Sequence, residues 1–83
     1  MITEKIKHIL IKSLSLNKVQ VTGNNNHINI IAIDDIFNNK SEVEKQQMIY
    51  TQLMDYITNK TIHAISIKTY SLKEWKNNQK KIN

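Results

Sequence analysis

The chain of 83 residues has no cysteine and a single glycine, and its twelve basic residues are all lysine, with no arginine. Each absence removes a class of function. Without cysteine there is no disulfide, no thiol nucleophile, and no zinc or iron-sulfur site built from this chain's own thiolates. One glycine cannot make a glycine-rich loop that cradles a phosphate. Without arginine, the planar fork that grips phosphate or guanine in two places is missing. No apolar run approaches the roughly 20 residues of a membrane span, and the opening residues MITEKIKHIL are too charged for a secretory leader. A cytoplasmic protein with no membrane partner is expected.

What is present is lysine, isoleucine and asparagine in excess, the usage of a genome rich in A and T, with a formal net charge of +5. The lysines are scattered apart from Lys76, Lys80 and Lys81 near the end. Such a distribution suits weak, non-specific affinity for polyanions better than sequence reading. The length allows one domain, residues 1–83, with a short polar C-terminal tail from about 77. A domain of this size buries roughly 60% of the surface its unfolded chain exposes, so its stability margin is modest.

Along the chain, Ile2, Ile6, Ile9, Leu10, Ser13 and Leu14 recur at helical spacing and predict a helix over about 3–14. Glu4 stands where the N-terminal dipole favours an acid, and His8 lies off the apolar stripe as an exposed side chain. Lys18 to Thr22 alternates as a short strand, Gly23 to Asn26 reads as a hairpin turn of residues that tolerate positive φ, and His27 to Ile33 is a second strand. Asp34 and Asp35 end that strand, as adjacent acids that point to opposite faces and so solvate a strand end rather than form an acid–base pair. Ile36 and Phe37 pack under a short helical turn. Ser41 with Glu44 is a capping box that opens a helix to about Thr58, with Val43, Gln47, Tyr50, Met54 and Ile57 as its core stripe and Met48, Ile49 and Leu53 widening it. Asn59 and Lys60 break it.

The third strand lies in IHAISIKTYSLKEW, residues 62–75, where Ile65, Ile67 and Thr69 alternate with Ala64, Ser66, Lys68 and Tyr70. Ser71 and Glu74 form a second capping box and start a short terminal helix anchored by Trp75. The order is therefore α-β-β-α-β-α, an α+β fold with a three-stranded mixed sheet. Strands joined through a helix are parallel neighbours, so the starts of the second and third strands share one edge of the sheet. Those starts are His27 and His63, 36 residues apart in sequence, on strands about 4.8 Å apart.

The run VEKQQMIYTQLMDYI followed by IHAISIKTYSLKEW, with a glycine turn and a histidine before it, resembles the BolA family, and within it the short IbaG subgroup. The resemblance covers about residues 3–75 and implies a mixed sheet with helices packed on one face, similar to the class II KH topology. It further implies pairing with a monothiol glutaredoxin and a [2Fe-2S] cluster shared across the pair. There the partner and a glutathione supply thiolates, and the histidine of the I-H-A motif, His63 here, supplies an imidazole. His27 occupies the place of the family's variable second ligand. Relatives often carry G-D-G-S-H where this chain has Gly23-Asn24-Asn25-Asn26-His27, which loses a glycine and an acid. The partner-binding residues so implied are His63, Ala64, Lys68 and Tyr70. The free chain is expected to be a monomer or a weak homodimer that carries no cofactor by itself.

The competing reading is a KH-like nucleic-acid-binding regulator that uses Lys68, Lys73 and Lys76. A working KH site needs a GXXG loop to let phosphates approach the backbone, and one glycine cannot supply it. An enzyme is disfavoured, because no nucleophile stands beside a base and no metal motif of fixed spacing is present.

Overall fold

The computed structural model describes residues 1–82, with side chains through Asn78. Helix α1 spans Ile2–Leu14, strand β1 Lys18–Asn24 and strand β2 His27–Ile33; a 3-10 turn covers Asp35–Phe37. Helix α2 spans Glu42–Gln52 and α3 Met54–Thr58; strand β3 is Ile65–Tyr70, and α4 runs over Leu72–Ile82. The polar residues from 77 onward, expected as a tail, thus continue α4, while the side chains of Lys80 and Lys81 lie outside the described residues. No helix of the described residues is long and apolar enough to cross a membrane.

The strands form one mixed sheet in the order β1-β2-β3. β1 lies antiparallel to β2 with Lys18 opposite Ile33 and Asn24 opposite His27, and β3 runs parallel to β2 with Ile28 opposite Ile65 and Ile33 opposite Tyr70. Period-two alternation puts Val19, Ile28, Ile30 and Ala32 on one side, where they meet Ile6 and Leu10 of α1 and Ile49 of α2 with Leu53 after it. At roughly 1.5–3 kcal/mol for each fully buried aliphatic side chain, this layer supplies most of the fold's stability. The central strand is the most apolar because it has a neighbour on both sides.

The expected single helix over 41–58 is two helices. The Leu53 N–H reaches back three residues to the Tyr50 carbonyl at 3.0 Å, and its φ of −111° and ψ of 9° leave the helical region. The expected core stripe packs along one flank only: Val43, Tyr50 and Met54 are 64%, 37% and 48% exposed, whereas Ile49 and Leu53, expected to widen the stripe, are fully buried. Two apolar stripes about 100° apart run along this segment, and the sheet takes the one that carries Ile49 and Leu53. Ile36, expected under the short turn, is exposed, while Phe37 beside it is buried.

Glycine scarcity leaves a mark on the turns. Ser15, Asn39 and Lys60 adopt left-handed φ values of 54°, 65° and 63° where glycine is the usual occupant. The free edge of β3 is partly covered, because Gln46 Nε2 of α2 donates to the Ile67 carbonyl at 3.0 Å.

Candidate two-histidine site

Both capping boxes form. Ser41 and Ser71 each accept the N–H of Glu44 and Glu74 and return their own N–H to that glutamate's carboxylate, with all four bonds between 2.8 and 3.1 Å. Accepting the serine N–H holds each glutamate carboxyl below its usual range. These groups shape helix starts and stand apart from the histidines. The paired acids are structural as well. Asp34 accepts from Ile36 N at 2.8 Å and Asn17 N at 2.7 Å, and Asp35 accepts from Leu72 N at 3.0 Å at the start of α4. Their carboxylates close backbone ends, Asp35 from an exposed position.

At the opposite edge of the sheet the chain places both histidines. The turn between β1 and β2 is shorter than expected: only Asn25 and Asn26 lie outside the strands, and neither they nor Asn24 has positive φ. Gly23 alone does, at 102°, and a Cβ there would collide with the His27 carbonyl oxygen. The asparagines act through hydrogen bonds instead of left-handed backbone. Asn24 Oδ1 accepts from Asn26 N at 2.9 Å and His27 N at 3.3 Å, an Asx turn that closes the hairpin. Asn25 Nδ2 donates to the Thr61 carbonyl at 2.8 Å, and the Asn25 carbonyl accepts the His63 N–H at 2.9 Å. Ile28 N donates to the Ala64 carbonyl at 2.9 Å, continuing the ladder past the end of β3. One turn residue therefore fastens the loop of His63 to the hairpin of His27, a role that a run of three asparagines does not reveal.

The histidines differ. His63 is exposed, follows the buried Ile62, and its ring makes no hydrogen bond among the described residues. His27 is exposed too, but its Nε2 lies 2.8 Å from Ser66 Oγ on β3. By register His27 falls beside Ala64, so His63 sits one residue further out than a directly paired neighbour. Tyr50, Ile57, Ile62, Ala64 and Ile65 line a recess of only about 30 Å³ with His63, too small for a substrate and suited to a protruding side chain. A wider open depression of about 390 Å³, lined by Leu14, Lys40 and residues of α2, shares no residue with this edge.

The remaining expected residues do not converge. Ala64 is exposed beside His63 and Lys68 lies on the outer side of the sheet, but Tyr70 is at the far end of β3, a rise of roughly 16 Å from Ile65. Its ring packs on Trp75 with centroids 5.3 Å apart, so both aromatics anchor α4. Lys73 and Lys76 are exposed on α4, and the one glycine lies in β1, so no GXXG loop exists. Among the described residues no group of three or more His, Asp or Glu side chains could hold a metal. This edge offers two imidazoles. Sequence reasoning passed over Asn25, Tyr50 and Ser66 here, since only the strand register and the break at Leu53 bring them to it.

Comparison with known proteins agrees with the fold. The family described as BolA-like protein matches residues 3–74. Over 76 residues the chain is 60% identical to a protein of Buchnera aphidicola subsp. Baizongia pistaciae, covering 92% of this chain and 96% of that one. It is 42% identical to the acid stress protein IbaG of Escherichia coli over 76 residues, 92% of this chain and 90% of the relative. A BolA homologue from Coxiella burnetii superposes with a TM-score of 0.76 at 25% identity, covering 89% of this chain and 95% of that one. The sheet order and a match over nearly the whole length agree: the chain belongs to the BolA family.

Proposed function

We propose that this chain is a non-catalytic adaptor that pairs with a monothiol glutaredoxin and contributes imidazole ligands to a [2Fe-2S] cluster held across the interface. His63 is the principal ligand and His27 the second, with glutathione and the partner's cysteine supplying the thiolates. The observation that carries this reading is the presence of two exposed histidines at one sheet edge of a chain without cysteine. Imidazoles can replace thiolates on one iron of such a cluster and raise its potential, so the donor set fits the group. Two ligands leave a cluster incomplete, which is what a shared site requires. Half-exposed Tyr50 lines the recess at His63, so a protein seated over that imidazole also covers an aromatic ring, the side chain most useful at an interface core. The name of the Escherichia coli relative supports a setting in stress response, with cluster trafficking or iron regulation as the task.

The test is visible absorption and circular dichroism of the chain co-purified with a monothiol glutaredoxin. The heterodimer should show a cluster spectrum distinct from that of the glutaredoxin homodimer. His63→Ala should abolish the difference, His27→Ala should alter it, and Tyr50→Ala should weaken the complex about tenfold, the effect of roughly 1.4 kcal/mol. A complex whose spectrum is indifferent to His63→Ala would overturn the proposal.

A further inference from the structure

We infer that Ser66 is a positioning residue for His27, and that it makes Nδ1 rather than Nε2 the atom through which His27 binds a metal. The inference rests on the ligand role proposed above and adds the atom and the residue that selects it. A neutral imidazole has one N–H and one lone pair, and a metal takes the lone pair. Ser66 Oγ lies 2.8 Å from Nε2, so that nitrogen is already engaged. Two proton arrangements satisfy the contact. With the proton on Nε2, the ring donates to Ser66 and Nδ1 presents a free lone pair. With the proton on Nδ1, the hydroxyl donates to Nε2 and neither nitrogen can bind until the bond breaks. Only the first gives a ligand without rearrangement.

The geometry favours a preset ligand. Ser66 sits inside β3, where the register places it opposite Asn29, so its hydroxyl is carried by a strand hydrogen-bonded to β2. His27 starts β2, and its own N–H is held by Asn24 Oδ1 at 3.3 Å. A hydrogen bond from the non-ligating nitrogen to a fixed acceptor is the usual way in which a ligand histidine's tautomer and ring plane are set. His63 has no such partner among the described residues, so the two imidazoles are unequal: one is preset, and the other is free to adjust to the partner.

The experiment uses the whole free chain, labelled with 15N, at a pH where imidazoles are neutral. Two-bond 1H–15N correlation spectra report the tautomer of each histidine, first alone and then on titration with Zn²⁺. The inference requires His27 to be mainly the Nε2–H form and Zn²⁺ to perturb Nδ1. Ser66→Ala should move His27 towards the tautomer balance of free histidine and weaken Zn²⁺ binding at His27 about tenfold, leaving the His63 signals in place. Ser66→Thr, which keeps the hydroxyl, should restore both. His27 in the Nδ1–H form, Zn²⁺ bound at Nε2, or spectra indifferent to Ser66→Ala would each overturn the inference. Failure of the cluster proposal would show instead in the glutaredoxin complex with His63→Ala, so the two failures can be told apart.

Discussion

The two ends of the β2–β3 pair are built from similar materials and put to opposite uses. At the C-terminal end Ile33 and Phe37 are buried, Tyr70 stacks against Trp75, and the carboxylates of Asp34 and Asp35 are spent on backbone N–H groups. At the N-terminal end the hydrogen bonds between hairpin and loop run through Asn24, Asn25 and the backbone, while His27 and His63 stay exposed. Polar chemistry at one end is consumed by structure; at the other it is held in place and left accessible. A binding edge needs a stable anchor, and in a domain this small the anchor and the edge sit on the same two strands.

That division predicts a ranking of substitutions. Phe37→Ala, at the anchoring end, removes a buried ring and should cost roughly 3–5 kcal/mol in urea unfolding, enough to threaten folding of a domain this size. A much smaller loss would show that the anchor lies elsewhere. Gly23→Ala is the exception at the histidine edge: its Cβ would meet the His27 carbonyl and its backbone would hold an unfavourable φ, so the unfolding free energy from urea should fall by roughly 2 kcal/mol. Shifts in the His27 amide resonance should accompany it. Asp34→Ala strips acceptors from Asn17 and Ile36 and should cost about 1–2 kcal/mol by the same assay.

A weaker effect follows from the capping glutamates. Glu44 and Glu74 have carboxyls below their usual range in the native state, so on acidification the unfolded chain takes up protons before the native one. Their contribution is complete above the ordinary glutamate pKa of about 4.3 and is lost as pH falls through their lowered native values. Thermal melting between neutral and acid pH should therefore decline less steeply in the Glu44→Gln, Glu74→Gln double variant than in wild type. His63→Ala should sit at the bottom of the ranking, within about 0.5 kcal/mol of wild type by urea unfolding, as expected of an exposed side chain whose ring has no hydrogen-bond partner among the described residues. A loss well above that would break the contrast between the ends.

Local chemistry was legible in the sequence wherever neighbours along the chain decide the outcome. Both S-x-x-E boxes, the alternation in β2 and β3 and the helical spacing of α1 needed no distant partner. The α2 segment shows the limit. Val43, Tyr50 and Met54 form as regular a stripe as the one that packs, and nothing local says which faces the sheet. The asparagine run shows a second limit: residues that suit positive φ were expected to use it, yet Asn24 and Asn25 act as hydrogen-bonding side chains whose partners include Thr61, 36 positions away.

The sequence by itself determined the element order, the exclusion of thiol chemistry and the parallel crossover that puts His27 and His63 at one edge. Those follow from residue types, short spacings and the need for parallel strands to be joined by a crossover connection. Only the tertiary structure decided that the edge is tied together by Asn25, that Tyr50 borders His63 and that Ser66 engages one nitrogen of His27. Each depends on strand register, where one residue of slip turns a side chain to the other face, and that register is set by the burial of Ile28 and Ile30 against α1 and α2 together.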